Sequence, residues 1–552
     1  MNRALISHWL RAESSRPRAL SCAALLGSAA LLGCAVLLGC TVLLGCEGKR
    51  PVGTSNTETG DHPAPGVTDV PQPAPSATAP AASPSSASSA SGASPLAAAS
   101  AGSKPAMDSA RVYAKSRNVW IRDAPTSDID WIGILWFGSS VAIKDPNPIV
   151  ASGCSGKWYA VEPRGYICVD GDKTTLDIDD PVLRAVAPYA PNLDSPWPHP
   201  HYGESLGAPR YNQLPTAEEQ RLRESKYLKR PGATTLGDPT AAPSAAIALP
   251  VLPRSMQADQ AWVMPRSALA WSGEVTQGGR SWALTPDLAW VPQDRLTPYA
   301  KVTFRGVQLG KDASLPLAFF RAKDRPRYAK GPTGDIAATG ENFPRLSWVE
   351  LSGEQIIQGN AVYLQTKDTK FYVDQQDAVV PEVRKETPWG AATLQPDTTG
   401  KAPIGRATWL ETSIWGGWLL AYEGTKPVFA TLIAPGRGGP PHPDRDPIDT
   451  ASTPTGFFQI SGKFATSTMG EPTELIHADV PWAQNFSGPH ALHAAYWHDN
   501  WGELKSGGCI NVSPIDGKWL YDFTEPTVPD GWHGVRWDPS KGPATGIIIN
   551  RR

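Results

Sequence analysis

A chain of 552 residues, 41% apolar and 19% charged, exceeds what one hydrophobic core can serve and has room for about three or four folded units. A formal net charge of −2 leaves no basic footprint and argues against nucleic acid as a partner. Gly, Pro and Trp number 51, 55 and 21, a composition that points to short strands and turns, so the chain reads as mainly β.

In residues 1–46, Arg3, Arg11, Arg16 and Arg18 precede an uncharged stretch from Ala19 to Cys46, the charge-then-apolar order of a secretion signal. Leu31-Leu32-Gly33-Cys34 returns as Leu37-Leu38-Gly39-Cys40 and Leu43-Leu44-Gly45-Cys46. Each copy resembles the bacterial lipoprotein signal, which implies lipidation of a cysteine that becomes the first residue. Cys46 is the candidate, because polar sequence starts directly after it. The alternative is an uncleaved membrane helix, since the stretch is long enough to span. Either way an N-terminal anchor at a membrane is expected, with the body exported to the cell envelope. Residues 47–107, mostly Pro, Ala, Ser, Thr and Gly, cannot bury enough apolar surface to offset their ordering entropy and read as a disordered tether.

Residues 108–175 hold short apolar runs, among them Val119-Trp120-Ile121-Arg122, Trp131-Ile132-Gly133-Ile134-Leu135 and Trp158-Tyr159-Ala160-Val161, spaced as in a small barrel. Their order resembles bacterial SH3-like domains. Cys154 and Cys168 form a close pair in a chain otherwise almost free of cysteine beyond its first segment; a disulfide is expected in an oxidising compartment, with two buried thiols as the alternative. Residues 176–254 read as an irregular linker containing one short helix at Pro215–Leu222, N-capped by Thr216. In residues 255–390, Gly279–Asp287 leading to Trp290-Val291 looks like Gly359–Asp368 leading to Tyr372-Val373. Both run aromatic, Thr-x-Asp turn, aromatic-Val, which suggests a repeated hairpin and a pair of degenerate SH3-like units. Their aromatics are expected in the core, with a wall-binding surface as the lesser reading.

Residues 405–545 carry the chemistry. Thiolate is the reactive form of cysteine, and a neighbouring His can lower the thiol pKa. Cys509, the lone cysteine of the body, follows Ser506-Gly507-Gly508 and precedes Ile510-Asn511-Val512. Such a turn lets the backbone approach a substrate closely, and its amides can stabilise an oxyanion. His493, sixteen positions upstream, is a sensible base. His490 is expected on the opposite side of the strand. A zinc site from His490, His493, His498 and Cys509 fits no common ligand spacing, and neither a metal nor a cofactor is expected. The order His before Cys disfavours a wall endopeptidase with Cys before His.

The run from Asp479 to Phe523 resembles the L,D-transpeptidase (YkuD) family. His493-Ala494-Ala495-Tyr496-Trp497 is similar to the family's His-Ser-Ala-Pro-Trp, Ser506–Asn511 to its Ser-His-Gly-Cys-x-Asn, and Thr453-Pro454-Thr455-Gly456 to its Thr-Pro-x-Gly turn. The resemblance implies a β-sandwich acting on peptidoglycan stem peptides. It implies Cys509 as the acylated nucleophile, His493 as its base and the Ala494 carbonyl as the group orienting the ring. Ser506, Gly508 and Asn511 would line the substrate and oxyanion region. One position departs: the family's His two residues before the cysteine is Gly507 here. An impaired, wall-binding scaffold is the alternative reading.

Overall fold

The computed structural model describes residues 110–228, 249, 251–253, 256–258, 261–390, 407–470 and 475–552. The signal, the lipidation candidate Cys46 and the tether lie outside the described residues. No helix among the described residues is long and apolar enough to cross a membrane. Among the described residues the body is mainly β, with six sheets.

Residues 111–175 form strands with alternating burial, as in Arg111–Ala114 and Val119–Arg122. Their inward side chains, including Val112, Ile121, Leu135, Val141 and Ile167, share a core with Trp532 and Val535. A disulfide joins Cys154 to Cys168. The expected barrel does not close among the described residues. Instead the edge strand Trp131–Leu135 is extended by Gly534–Arg536, with Gly133 opposite Val535. An edge that would otherwise expose unpaired N–H and C=O groups is covered by the C-terminal body. At that junction His533 stacks on Trp136, centroids 4.1 Å apart.

The segment 176–254, expected to be irregular, holds a helix at Pro181–Val186 and a strand at His201–Ser205. The strand lies between Leu296–Pro298 and Ala268–Trp271 in the largest sheet. The helix begun at Thr216 runs on to Leu228. Its start is a capping box: Thr216 N–H donates to Glu219 Oε2 at 2.8 Å, and Glu219 N–H donates to Thr216 Oγ1 at 3.2 Å. The helix passes the expected end because Glu224, only 1% exposed, is held by both terminal nitrogens of Arg280 at 3.0 and 2.8 Å. Removing one partner of such a pair strands the other in the interior, so Arg280→Met is expected to cost about 3–5 kcal/mol in urea unfolding.

The repeated hairpin is present twice. Arg280–Leu284 pairs with Trp290–Pro292, followed by a 3₁₀ turn at Gln293–Arg295. Ala361–Thr366 pairs with Tyr372–Asp374, followed by a 3₁₀ turn at Gln375–Asp377. The Thr-x-Asp turns close alike: Thr285 Oγ1 donates to Ala289 O and Thr366 Oγ1 to Phe371 O, each at 2.9 Å. Trp282, Trp290 and Val373 are buried, so these side chains belong to the core.

The C-terminal body is a two-layer sandwich. One sheet of six strands runs in the order Val307–Gln308, Lys426–Leu432, Trp418–Glu423, Thr408–Ser413, Gly546–Asn550, Gly456–Gln459. The facing layer contains Gly462–Met469, His477–Ser487, His490–Ala494 and Ile510–Val512. Leu410, Leu419, Phe429, Leu492, Ile510, Val512 and Leu520 fill the space between them. The helix Pro514–Phe523 closes one end, with Ser513 accepting from Asp516 N–H at 3.1 Å and Pro514 in its first turn.

Candidate active site

The predicted base lies on one of two short parallel strands, and the predicted nucleophile stands just before the other. His493 is opposite Asn511 and Leu492 opposite Ile510 in the ladder between His490–Ala494 and Ile510–Val512. Opposite residues in a ladder project to the same side, so His493 and Asn511 form a row on one face. Cys509 stands at the bend before this row, its thiol against the Ala491 amide. His493 is 3% exposed. Its Nδ1 lies 3.1 Å from the Ala494 carbonyl oxygen. A carbonyl only accepts, so Nδ1 carries the proton and Nε2 keeps a lone pair. Burial lowers the His493 pKa to about 4, against the Ala494 bond, which favours the charged ring, while nearby His477 lowers it further. Cys509 is a free cysteine of intermediate exposure. Burial of its surroundings pushes the thiol up, partly offset by the Ala491 amide. At rest the candidate pair is therefore a protonated thiol and a neutral imidazole whose Nε2 keeps its lone pair.

The turn before Cys509 is held from three sides. Ser506 Oγ donates to the Cys509 carbonyl at 2.5 Å and accepts from Gly508 N–H at 3.1 Å. Ser506 thus shapes the turn rather than reaching outward. The Gly508 amide, expected to line the oxyanion region, is engaged by that hydroxyl. Arg437 N–H donates to the Ser506 carbonyl at 2.9 Å. Thr453 Oγ1 accepts from Gly436 N–H at 2.8 Å, so the Thr-Pro turn anchors the loop lying along the nucleophile.

Gly508 has φ +128, and a Cβ there would come within 2.9 Å of His490 Nε2 and 3.0 Å of the Ser452 carbonyl. His490 lies beneath this turn, with its ring centroid 6.4 Å from that of Phe486. Gly508→Ala meets both a disfavoured φ and two close contacts, so a loss of about 1–3 kcal/mol in thermal unfolding and a parallel loss of thiol reactivity are expected. Gly507 is different: a Cβ there meets only Arg437, at 4.0 Å. The position is open to a larger side chain.

Aromatics and a second histidine enclose the row. The Trp497 ring lies between His477 and His493, at 4.1 and 5.9 Å between centroids. His498, named in the sequence only as a possible zinc ligand, has Nε2 at 3.0 Å from the Asn511 amide. No group of three or more His, Cys, Asp or Glu suited to a metal occurs among the described residues.

Residues 417–533 match the family model for the L,D-transpeptidase catalytic domain, YkuD. The likeness to an L,D-transpeptidase catalytic domain is to residues 417–533, a part of the chain. The transpeptidase match contains His493, Cys509 and the strands that carry them. Among solved structures, an L,D-transpeptidase from Xylanimonas cellulosilytica is similar at 22% identity and TM-score 0.18, covering 27% of this chain and 65% of that one. One from Stackebrandtia nassauensis matches at 22% identity and TM-score 0.18, covering 26% and 56%. An L,D-transpeptidase from Mycobacterium smegmatis matches at 15% identity and TM-score 0.20, covering 46% and 89%. The chain thus spans less than two thirds of the first two proteins. No curated protein matches.

Proposed function

We propose that the protein is an exported peptidoglycan L,D-transpeptidase working through a cysteine acyl-enzyme. What supports this reading is the pairing of His493 with Asn511 in a parallel strand pair that Cys509 immediately precedes, inside a region matching the transpeptidase catalytic domain. In the proposed reaction, Cys509 Sγ attacks the carbonyl carbon of the L,D bond in a donor tetrapeptide while His493 Nε2 takes the thiol proton. The tetrahedral oxyanion forms near the Cys509 amide and Asn511. The C–N bond then breaks, and the imidazolium returns its proton to the departing amine of D-Ala. An acceptor amine attacks the thioester, the C–S bond breaks and the thiol is restored. Export through residues 1–46 and anchoring at Cys46 belong to the same proposal and account for a wall substrate.

Incubation with a disaccharide tetrapeptide tests the reading. A D-Ala release signal, together with a mass increment on Cys509, supports it. The opposite result, no release and no adduct, would favour the impaired scaffold that Gly507 suggests.

A further inference from the structure

The Asn511–His498 contact carries more than packing. Burial drives the His498 pKa down to about 3, with Lys505 adding to the effect, so the ring is neutral and one nitrogen bears the hydrogen. Backbone N–H of Asn500 donates to His498 Nδ1 at 3.2 Å. A nitrogen that accepts cannot also carry the proton in a neutral ring, so the hydrogen sits on Nε2. The group facing Asn511 is therefore a donor.

An asparagine amide has two orientations of the same outline, related by a half-turn. With Nδ2 towards the ring, two donors would meet 3.0 Å apart, and Oδ1 would be left buried without a partner. With Oδ1 towards the ring, the His498 N–H has its acceptor, and the NH₂ takes the unpaired position. Asn511 is 2% exposed and stands opposite His493 in the ladder. A buried donor without a partner costs free energy until an acceptor arrives.

Resting on the proposed acyl-transfer function, we infer that His498 is a positioning residue: its Nε2–H locks the Asn511 amide with NH₂ directed at the substrate carbonyl or its oxyanion. The ring is itself held by the Asn500 amide and by Trp501, whose ring centroid lies 4.8 Å away. The acceptor it prepares for is thus an amide carbonyl, not a cation, which an NH₂ would repel.

Ring ¹⁵N spectra of the full chain, assigned with His498→Phe, test the hydrogen-bond half. Hydrogen on Nε2 is the expected result, and hydrogen on Nδ1 overturns the inference. Tetrapeptide turnover tests the functional half. His498→Phe keeps the ring's bulk without the donor and is expected to lower kcat/KM about 10–100-fold. His498→Gln, which restores an N–H, is expected to recover part of that loss. In an Asn511→Ala background His498→Phe should add nothing; full additivity would show that it acts elsewhere and overturn the inference. An inactive wild type would defeat the acyl-transfer reading, with the tautomer measurement still deciding the hydrogen bond. An active wild type with an unaffected His498→Phe defeats this inference alone.

Discussion

Replacing Cys509 by Ala is expected to abolish acyl-enzyme formation, with a loss of at least about a thousandfold in D-Ala release, while thermal unfolding changes by less than about 1 kcal/mol. The two readouts separate because Cys509 is a small side chain of intermediate exposure, and Ala keeps its backbone bonds while losing only the thiol's contact with the Ala491 amide. Intact mass after incubation with tetrapeptide checks the first, and differential scanning calorimetry the second. His493→Ala gives a sharper test of how the thiol is activated. In the wild type, a neutral imidazole with pKa lowered to about 4 stands ready at every pH from 6 to 8, so the rate should be nearly flat there. Without that base the thiol must ionise unaided, and burial holds it above its ordinary value of 9.0. The residual rate of His493→Ala is therefore expected to climb about tenfold per pH unit between 7 and 9, following the thiolate fraction. A flat profile for the variant would mean a thiolate already formed at neutral pH, and the resting pair would be an ion pair instead.

The candidate site was more legible than the framework. Cys509 and His493 stood out as candidates because the turn is local: Ser506, two glycines, Cys509 and Asn511 fall within six consecutive residues, and His493 sits on the neighbouring strand. The β character followed from dense turn residues and short apolar runs. What local sequence could not convey was pairing across long separations. Gly133 and Val535 are neighbours in one sheet although about four hundred positions apart, and nothing near Gly133 announces that its strand needs an outside partner. The strand His201–Ser205 was hidden because its pattern mixes His, Gly and Glu with Tyr and Ser, while its place between two other strands supplies the missing stability. His498 carried no signal beyond being a histidine, because its role depends on a side chain thirteen residues away and on the Asn500 amide.

Acid is expected to destabilise the body from about pH 6 downward, before most carboxylates protonate. His199, His498 and His533 have pKa values lowered to about 3, and His477 and His493 to about 4, in every case chiefly through burial. In the unfolded chain each would titrate near 6.5, so between about pH 6 and 4.5 the unfolded state binds the extra proton. Groups with depressed pKa values contribute stability above the unfolded value and lose it as pH falls. Two buried carboxylates act in the opposite sense. Asp479 and Asp516 are raised to about 6 by burial, so near pH 5 they hold protons in the folded state that the unfolded chain releases. Five histidines against two carboxylates leave about three protons in favour of unfolding, or about 4 kcal/mol per pH unit. A domain stable by about 5–15 kcal/mol would exhaust that margin within about one to four units below pH 6.5. Near-ultraviolet circular dichroism across pH 7 to 4 would follow the loss, since Trp482, Trp501 and Trp532 are all nearly inaccessible. Substituting His533 by Gln, which keeps a polar contact to Thr466 and removes a titrating ring, should shift the acid midpoint downward. An unchanged midpoint in that variant would show that these rings are not what sets the acid limit.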